Sequence, residues 1–395
     1  MTRPVPVDDR VLYLKGGRAI DEARALFPRI GELPDGGPDK FLLAVLHHAR
    51  HAVFRLASLG PRTARARLAG REVTEYGVRP EGVSGFRRRL AFLAAATRFL
   101  VDTIAFRPRH VLCGIDGPFA IAAWLAARVV GARYVYLAHC ALALPSLSAA
   151  HRAASRFVCR RADQVITHGP FVTDEAIRLR GTASGVVEFN NALDPEHLTL
   201  LAGLPGKPAG TDGGGTILYV GRLEEDKGAL DLLAAFALLP CRRSARLHFV
   251  GEGGARSALE ERISGLGLAG QVQVIGSVPH AEVFARMHAA AVVVTPSRSC
   301  FPEGFCKSAM EAFYVGTPVI APDYGPFPFL IAHERNGLLY RADSVVALAA
   351  AIGRLLADTD LRRQLQAGAV ASGQALMTPR TTFARAVGAV LAAQS

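Results

Sequence analysis

Short apolar runs separated by stretches of helical spacing recur along this chain. The pattern is cleanest in the second half. Residues 216–220 (TILYV) form a β-branched apolar run that ends at Gly221. Helical spacing follows over 229–239, then a strand over 246–250 (RLHFV) and the turn 251–254. The alternation continues with a helix over 257–265, a strand over 272–275 and a helix over 281–289. A strand over 291–295, a helix over 304–315 and a strand over 318–321 complete it. Strands separated by helices of about 10–12 residues predict βαβ units and a parallel sheet. Strands covered on both faces read as unbroken apolar runs, as these do.

The first half has the same rhythm with less regularity. Strands are expected over 11–14, 41–45, 73–76, 111–113, 134–138 and 164–167, and helices over 120–129 and 150–161. The segment 86–106 carries a helical apolar stripe at Leu90, Leu93, Thr97, Leu100, Val101 and Ile104. A core helix with a solvated end is one reading of it, and a surface helix that meets anionic lipid is the other. Between the halves, 204–215 (LPGKPAGTDGGG) breaks every apolar period and reads as a linker. The expected organisation is α/β. Residues 1–203 form an N-terminal domain, and 216–378 a C-terminal one. A final helix over 379–395 follows.

The length of 395 residues and a hydrophobic share of 50% are enough for two cores and exclude a disordered polymer. The uncharged run 134–150 contains Pro145, Ser146, Ser148 and His139, so no membrane-spanning helix is expected there. The start, MTRPVPVDDRVLYLK, lacks a signal peptide's apolar core, and the six Cys show no metal-ligand or CxxC spacing. Free thiols in a cytoplasmic protein are expected. The net charge of +12 is uneven: residues 1–200 hold 28 Lys and Arg against 18 acids, and 50–109 hold 13 Arg against 4 acids. A basic block suits an anionic partner, including the inner face of the plasma membrane. An Arg-rich composition without function is the competing explanation. Polynucleotide recognition is not expected, because no aromatic residues interleave with the basic ones.

Two segments could carry chemistry. The first is GRLEEDKG (221–228), a loop at a strand's carboxyl end. Arg222 and Lys227 are two fixed cations that could stabilise the charge of a departing diphosphate without a metal. Ion pairing with Glu224, Glu225 and Asp226 is the alternative. The second is PEGFCKSAME (302–311). Pro302 and Gly304 put Glu303 in a loop, and a helix starting near 304–306 offers free amides to a phosphate. Glu311 then lies about two turns, or roughly 10 Å, down the same face, where a carboxylate can accept from ribose hydroxyls. Glu303 as a first-turn dipole partner and Glu311 as a solvated helix residue are the bland readings. Gly251-x-Gly253 resembles a dinucleotide turn, but no acid follows about 20 residues later, so NAD is not expected. Asp358-x-Asp360 reads as a helix cap rather than a metal site. The cluster His47, His48 and His51 has no carboxylate or Cys at ligand spacing nearby.

GRLEEDKG, FVGEGG, EGFCKSAME, GTPVIA and NGLL, in this order over about 216–345, resemble the retaining GT-B glycosyltransferases of family 4. The resemblance implies two Rossmann-like doubly wound domains facing a central cleft, an acceptor-binding one over 1–203 and a nucleotide-sugar-binding one over 216–378, with the helix of 379–395 crossing back to the first. It also implies a nucleotide-sugar donor as co-substrate, with no metal and no resident cofactor. Arg222 and Lys227 would hold the diphosphate, with Gly304, Phe305, Cys306 and Lys307 meeting the phosphates. Glu303 would contact the transferred sugar, Glu311 the ribose, and Val278 would border the base. His139, at a strand end, corresponds to a family histidine near the sugar, with a structural histidine as the alternative. His168 is a weaker candidate. Cys306 stands where the family often has Gly, and Lys15-Gly16-Gly17 is the remnant of the family's first Gly-rich loop. The expected activity is transfer to an acceptor hydroxyl, on a lipid-linked glycan or polysaccharide precursor. The alternatives are a soluble small-molecule acceptor, or a noncatalytic protein that binds a nucleotide sugar or an anionic surface.

Overall fold

The computed structural model describes residues 9–15, 19–26, 41–49, 52–68, 70–78, 85–190, 195–204, 215–240, 243–377 and 381–392. In chain order the first elements are β1 (Arg10–Lys15), α1 (Ala19–Leu26), α2 (Phe41–His48), β2 (Val53–Gly60), β3 (Ala64–Leu68), β4 (Arg71–Gly77) and α3 (Gly85–Phe106). Then come β5 (His110–Gly114), α4 (Pro118–Val130), β6 (Arg133–Ala138), α5 (Ala149–Arg161), β7 (Gln164–His168), α6 (Gly169–Arg180), β8 (Val186–Phe189) and α7 (Pro195–Ala202). The second series is β9 (Thr216–Val220), α8 (Ala229–Ala237), β10 (Arg246–Val250), α9 (Arg256–Gly265), β11 (Val272–Gly276), α10 (His280–Ala289), β12 (Val292–Val294) and α11 (Lys307–Tyr314). It ends with β13 (Val319–Pro322), α12 (Phe327–Leu330), β14 (Gly337–Tyr340), α13 (Val345–Ala357), α14 (Thr359–Met377) and α15 (Phe383–Ala392).

The chain divides into two compact units. Unit 1 comprises 1–192 with 380–395, and unit 2 comprises 193–379. The division falls at 193, so α7 goes with unit 2. Most of the linker expected at 204–215 lies outside the described residues.

Unit 1 has the strand order β3-β4-β2-β1-β5-β6-β7-β8. All its pairings are parallel except the β3–β4 hairpin at one edge. Consecutive residues of β1 feed opposite cores. Leu12 and Leu14 pack with α3 and α4, while Val11 and Tyr13 pack with α2 and α15. That two-sided burial is why β1 reads as a plain apolar run. The expected strand at 41–45 is instead the start of α2. Leu42, Ala44, Val45 and Leu46 are all buried there, and a helix covered on most sides has no visible period. The final helix α15 packs on α2 and β8 and so completes unit 1.

Unit 2 has the order β11-β10-β9-β12-β13-β14, all parallel. Numbered within the unit this is 3-2-1-4-5-6, the doubly wound dinucleotide-fold order. The chain winds outward in both directions from the β9–β12 pair. The loops after β9 and β12 therefore diverge to opposite faces and leave a crevice at the strands' carboxyl ends.

Helix α3 forms as expected, but its stripe faces outward. Phe86, Leu90, Leu93, Val101 and Ile104 are exposed, and its buried contacts come from Ala95, Phe99 and Phe106. The core reading of that stripe is thus corrected: alanines and aromatics on the opposite side fill the core. On the adjacent α4, Leu125 and Val129 are exposed as well. None of the described helices is long and apolar enough to cross a membrane.

Candidate functional site

The loops that flank the unit 2 switch point are pressed backbone to backbone. A Cβ on Gly228 would stand 2.0 Å from the Pro296 carbonyl oxygen, and Gly228 itself has φ +73°. A Cβ on Gly253 would stand 2.3 Å from the Leu223 oxygen. The turn 251–254 therefore needs glycine for a close approach to the β9 loop.

Across this junction Lys227 Nζ donates to Glu303 Oε2 at 2.6 Å. Lys227 comes from the short turn after β9 and Glu303 from the loop after β12, so one charge-assisted bond ties the two sides of the crevice. Ser297 Oγ lies 3.4 Å from the same carboxylate oxygen. Phe301 lies beneath both cations: Lys227 Nζ is 3.7 Å from its ring centroid and Arg222 Cζ 5.9 Å. An aromatic face holds ammonium and guanidinium groups in place without neutralising them. Tyr219 donates its phenol to the Arg222 carbonyl at 2.5 Å. Arg298 anchors the β12 loop by pairing with both Asp231 oxygens, at 2.6 and 2.8 Å, and with Glu225 at 3.2 Å.

Beside Arg222 a cavity of about 450 Å³ is lined by Glu224, Glu225, Asp226, Arg298 and Cys300. Its three acids outnumber its cations and disfavour a phosphate. Helix α11 starts at Lys307 rather than at 304–306, because Glu303–Cys306 packs as a buried loop. No side chain caps it, which leaves its first-turn amides able to receive an anion. Glu311 is consequently about one turn into the helix, closer to its start than the expected two turns. Its Oε1 lies 3.3 Å from His280 Nε2. That contact puts the loop after β11, which carries Val278, beside Glu311; Val278 packs half-buried against the unit 2 core.

Cys306 packs into the core with Ala309 and Phe313, and burial pushes its thiol up to about 11. Its side chain therefore does not crowd a phosphate. Phe305 packs inward with Met310 and Tyr314. From these residues only backbone groups remain for a ligand, as the Gly at the family position also provides.

In unit 1, His139 follows β6 and stacks on Phe41 at 4.1 Å, with Phe189 and Phe383 around it. Neither ring nitrogen has a hydrogen-bond partner among the described residues, and burial lowers its pKa to about 4. A neutral imidazole is unsuited to pairing with phosphate, and both nitrogens are buried among the aromatic rings. His168 stacks on Phe189 at 4.7 Å in the same aromatic group. The loop after β6 is held by Glu175, which accepts from the amides of Leu142 and Ala143 at 2.7 and 3.2 Å. Of the Lys15-Gly16-Gly17 remnant, Gly16 and Gly17 lie outside the described residues, as do His51 and the side chain of His47. Asp358 Oδ1 accepts from the Leu361 amide at 2.9 Å, an ordinary helix cap.

Sequence reasoning missed Phe301, Arg298, Ser297 and His280. Phe301 had a signal, an aromatic two residues before a loop carboxylate. The others sit at strand ends or helix starts with nothing local to mark them.

Two doubly wound units, one of them with the dinucleotide-fold order, define the GT-B architecture. Sucrose-phosphate synthase from Thermosynechococcus elongatus superposes with a TM-score of 0.62 at 20% identity, over 97% of each chain. The structure of Anabaena HepE in complex with UDP superposes with a TM-score of 0.65 at 18% identity, over 97% of this chain and 98% of that one. Residues 207–370 match the family described as Glycosyl transferases group 1. Its relatives include the glycogen synthase of Mycobacterium tuberculosis, 29% identical over 54% of this chain and 50% of that protein. The 2-deoxystreptamine glucosyltransferase of Streptomyces kanamyceticus is 29% identical over 70% of this chain and 76% of that one. The chain thus spans about half the length of the glycogen synthases it matches.

Proposed function

We propose that this protein is a retaining, metal-independent glycosyltransferase that moves a sugar from a nucleoside-diphosphate sugar to an acceptor hydroxyl. The observation that carries the reading is the Lys227–Glu303 bridge over Phe301 at the unit 2 switch point, beside Arg222 and the start of α11. Solved relatives of the same fold hold UDP or UDP-glucose. In this reading the diphosphate lies between Arg222, Lys227 and the amides of Gly304 to Lys307. Glu311 accepts from the ribose, Val278 borders the base, and Glu303, held by Lys227, orients the sugar.

The sugar–phosphate bond breaks as the new bond from the acceptor oxygen forms on the same face. The departing phosphate oxygen takes the acceptor's proton, and the cations and amides stabilise the charge that develops. Arg222→Ala should lower kcat by about 10²–10³ with little change in acceptor KM. Full turnover by that variant overturns the assignment. The noncatalytic alternative loses one of its supports, since Cys306 does not occupy the phosphate position.

We read the acceptor as a lipid-linked or polysaccharide precursor, met by peripheral contact with an anionic membrane. The support is the outward apolar stripe of α3 with Arg87, Arg89 and Arg98 exposed on the same helix. The only acid of α3, Asp102, is tied to Arg65 and Tyr76. A small soluble acceptor is the second reading, favoured by the relatives named for 2-deoxystreptamine. Transfer to a lipid-linked against a water-soluble acceptor decides between them.

A further inference from the structure

Unit 1 has its own switch point. In the order β4-β2-β1-β5-β6-β7-β8 the winding reverses between β1 and β5, so ligands are expected outside the carboxyl ends of those strands. A cavity of about 610 Å³ opens there. Leu59 lines it from the end of β2, Val78 from beyond β4, and Asp116 from beyond β5. Phe92, Leu93 and Arg89 of α3 and Phe119 of α4 complete the wall. The volume is that of a small-molecule site, and the lining has the usual composition of one: apolar walls with a few placed polar groups.

The polar groups are specific. Asp116 Oδ1 accepts a hydrogen bond from the Tyr136 phenol, and Asp116 also borders the cavity. It precedes Gly117 and Pro118, the N-cap and first residue of α4, and burial raises its pKa while the Tyr136 hydrogen bond opposes that rise. Arg89 is exposed at the rim. Leu93 both lines the cavity and belongs to the outward apolar stripe of α3, so cavity and stripe are one continuous apolar surface.

We propose that this cavity binds the acceptor as an amphiphilic alcohol, with its apolar body against Leu59, Val78, Phe92, Leu93 and Phe119 and a hydroxyl donated to Asp116. The acceptor role rests on the glycosyltransferase reading, while the binding itself does not. A sugar or an aminocyclitol has no apolar body to place on these walls. A simple fatty chain has no hydroxyl for Asp116. An acidic headgroup gains from Arg89 at the rim.

The test is calorimetric titration of the full chain with n-decyl glucoside below its micelle concentration, and with free glucose. The decyl glucoside should bind with a negative heat-capacity change, and glucose should not bind at the same concentrations. Leu93→Arg, at a position 59% exposed and therefore safe for folding, should weaken the decyl glucoside at least tenfold. Asp116→Asn, nearly the same size, should weaken it several-fold. Stabilisation by UDP should be the same in both variants as in the parent. Equal affinity of glucose and decyl glucoside, or unchanged affinity in Leu93→Arg, overturns the proposal. Loss of UDP stabilisation in the parent alone would instead sink the donor reading and leave the cavity assignment standing.

Discussion

Single residues decide how the unit 2 crevice is built. Gly228 combines a positive φ with a contact that no Cβ can occupy, so Gly228→Ala should cost more than about 2 kcal/mol. Thermal unfolding measures this, and an unchanged Tm contradicts the close approach. Cys306 makes the opposite case, a residue that looked functional and proves to be packing. Cys306→Gly should lower stability by about 1–2 kcal/mol, from lost burial and added chain entropy, and leave the UDP affinity within twofold. Its raised thiol should also resist alkylation at pH 8 while the exposed Cys140 and Cys300 react. In unit 1, His110 and His139 are both lowered to about 4 by burial. Between about pH 6.5 and 4 the unfolded chain takes up protons that the folded unit refuses. Stability should therefore fall as the pH drops through that window, by up to about 1.4 kcal/mol per pH unit for each histidine. Denaturant unfolding across the window should show the slope, and His139→Asn should flatten it.

At the scale of elements, α3 is the informative one. Its stripe at Leu90, Leu93, Val101 and Ile104 was visible in the sequence, but the period alone does not say which side faces the core. Ala95 and Phe99 take that place because they meet Phe119 and the sheet. Exposed apolar side chains contribute little to folding, so Leu90→Gln with Val101→Gln should change stability by less than about 0.5 kcal/mol each. The same pair should reduce sedimentation with vesicles rich in phosphatidylglycerol, and neutral vesicles should bind neither protein. Equal pelleting of parent and variant removes the membrane contact. Strands β9 to β13 of unit 2 were legible because they are mostly buried and framed by Gly or Pro, whereas the short β14 was not read. Strands β2, β3 and β8 were not, since each carries charged or half-exposed residues that blur the period. Helix α2 was misread for the reverse reason: its residues are apolar on nearly every side.

For the whole molecule, the order of the strands is what gives the motifs a place. The chain leaves unit 1 before α7 and returns to it with α15, whose Phe383, Val387 and Leu391 are buried. Removing residues 380–395 should lower the unfolding temperature of unit 1 and leave the transition that responds to UDP where it was. Calorimetry with and without UDP separates the two. A shift of both transitions together contradicts two independently packed units. By itself, the sequence settled what local chemistry can settle: the βαβ rhythm, the glycine turns, the two charged loops and the family they resemble. Those depend on residues near one another along the chain. Only the tertiary structure decided that Lys227 meets Glu303 over Phe301, that Cys306 turns inward, and that Asp116 stands at a cavity under α3. Each of those facts depends on residues brought together from different loops by the strand order, and no spacing along one segment encodes a contact of that kind.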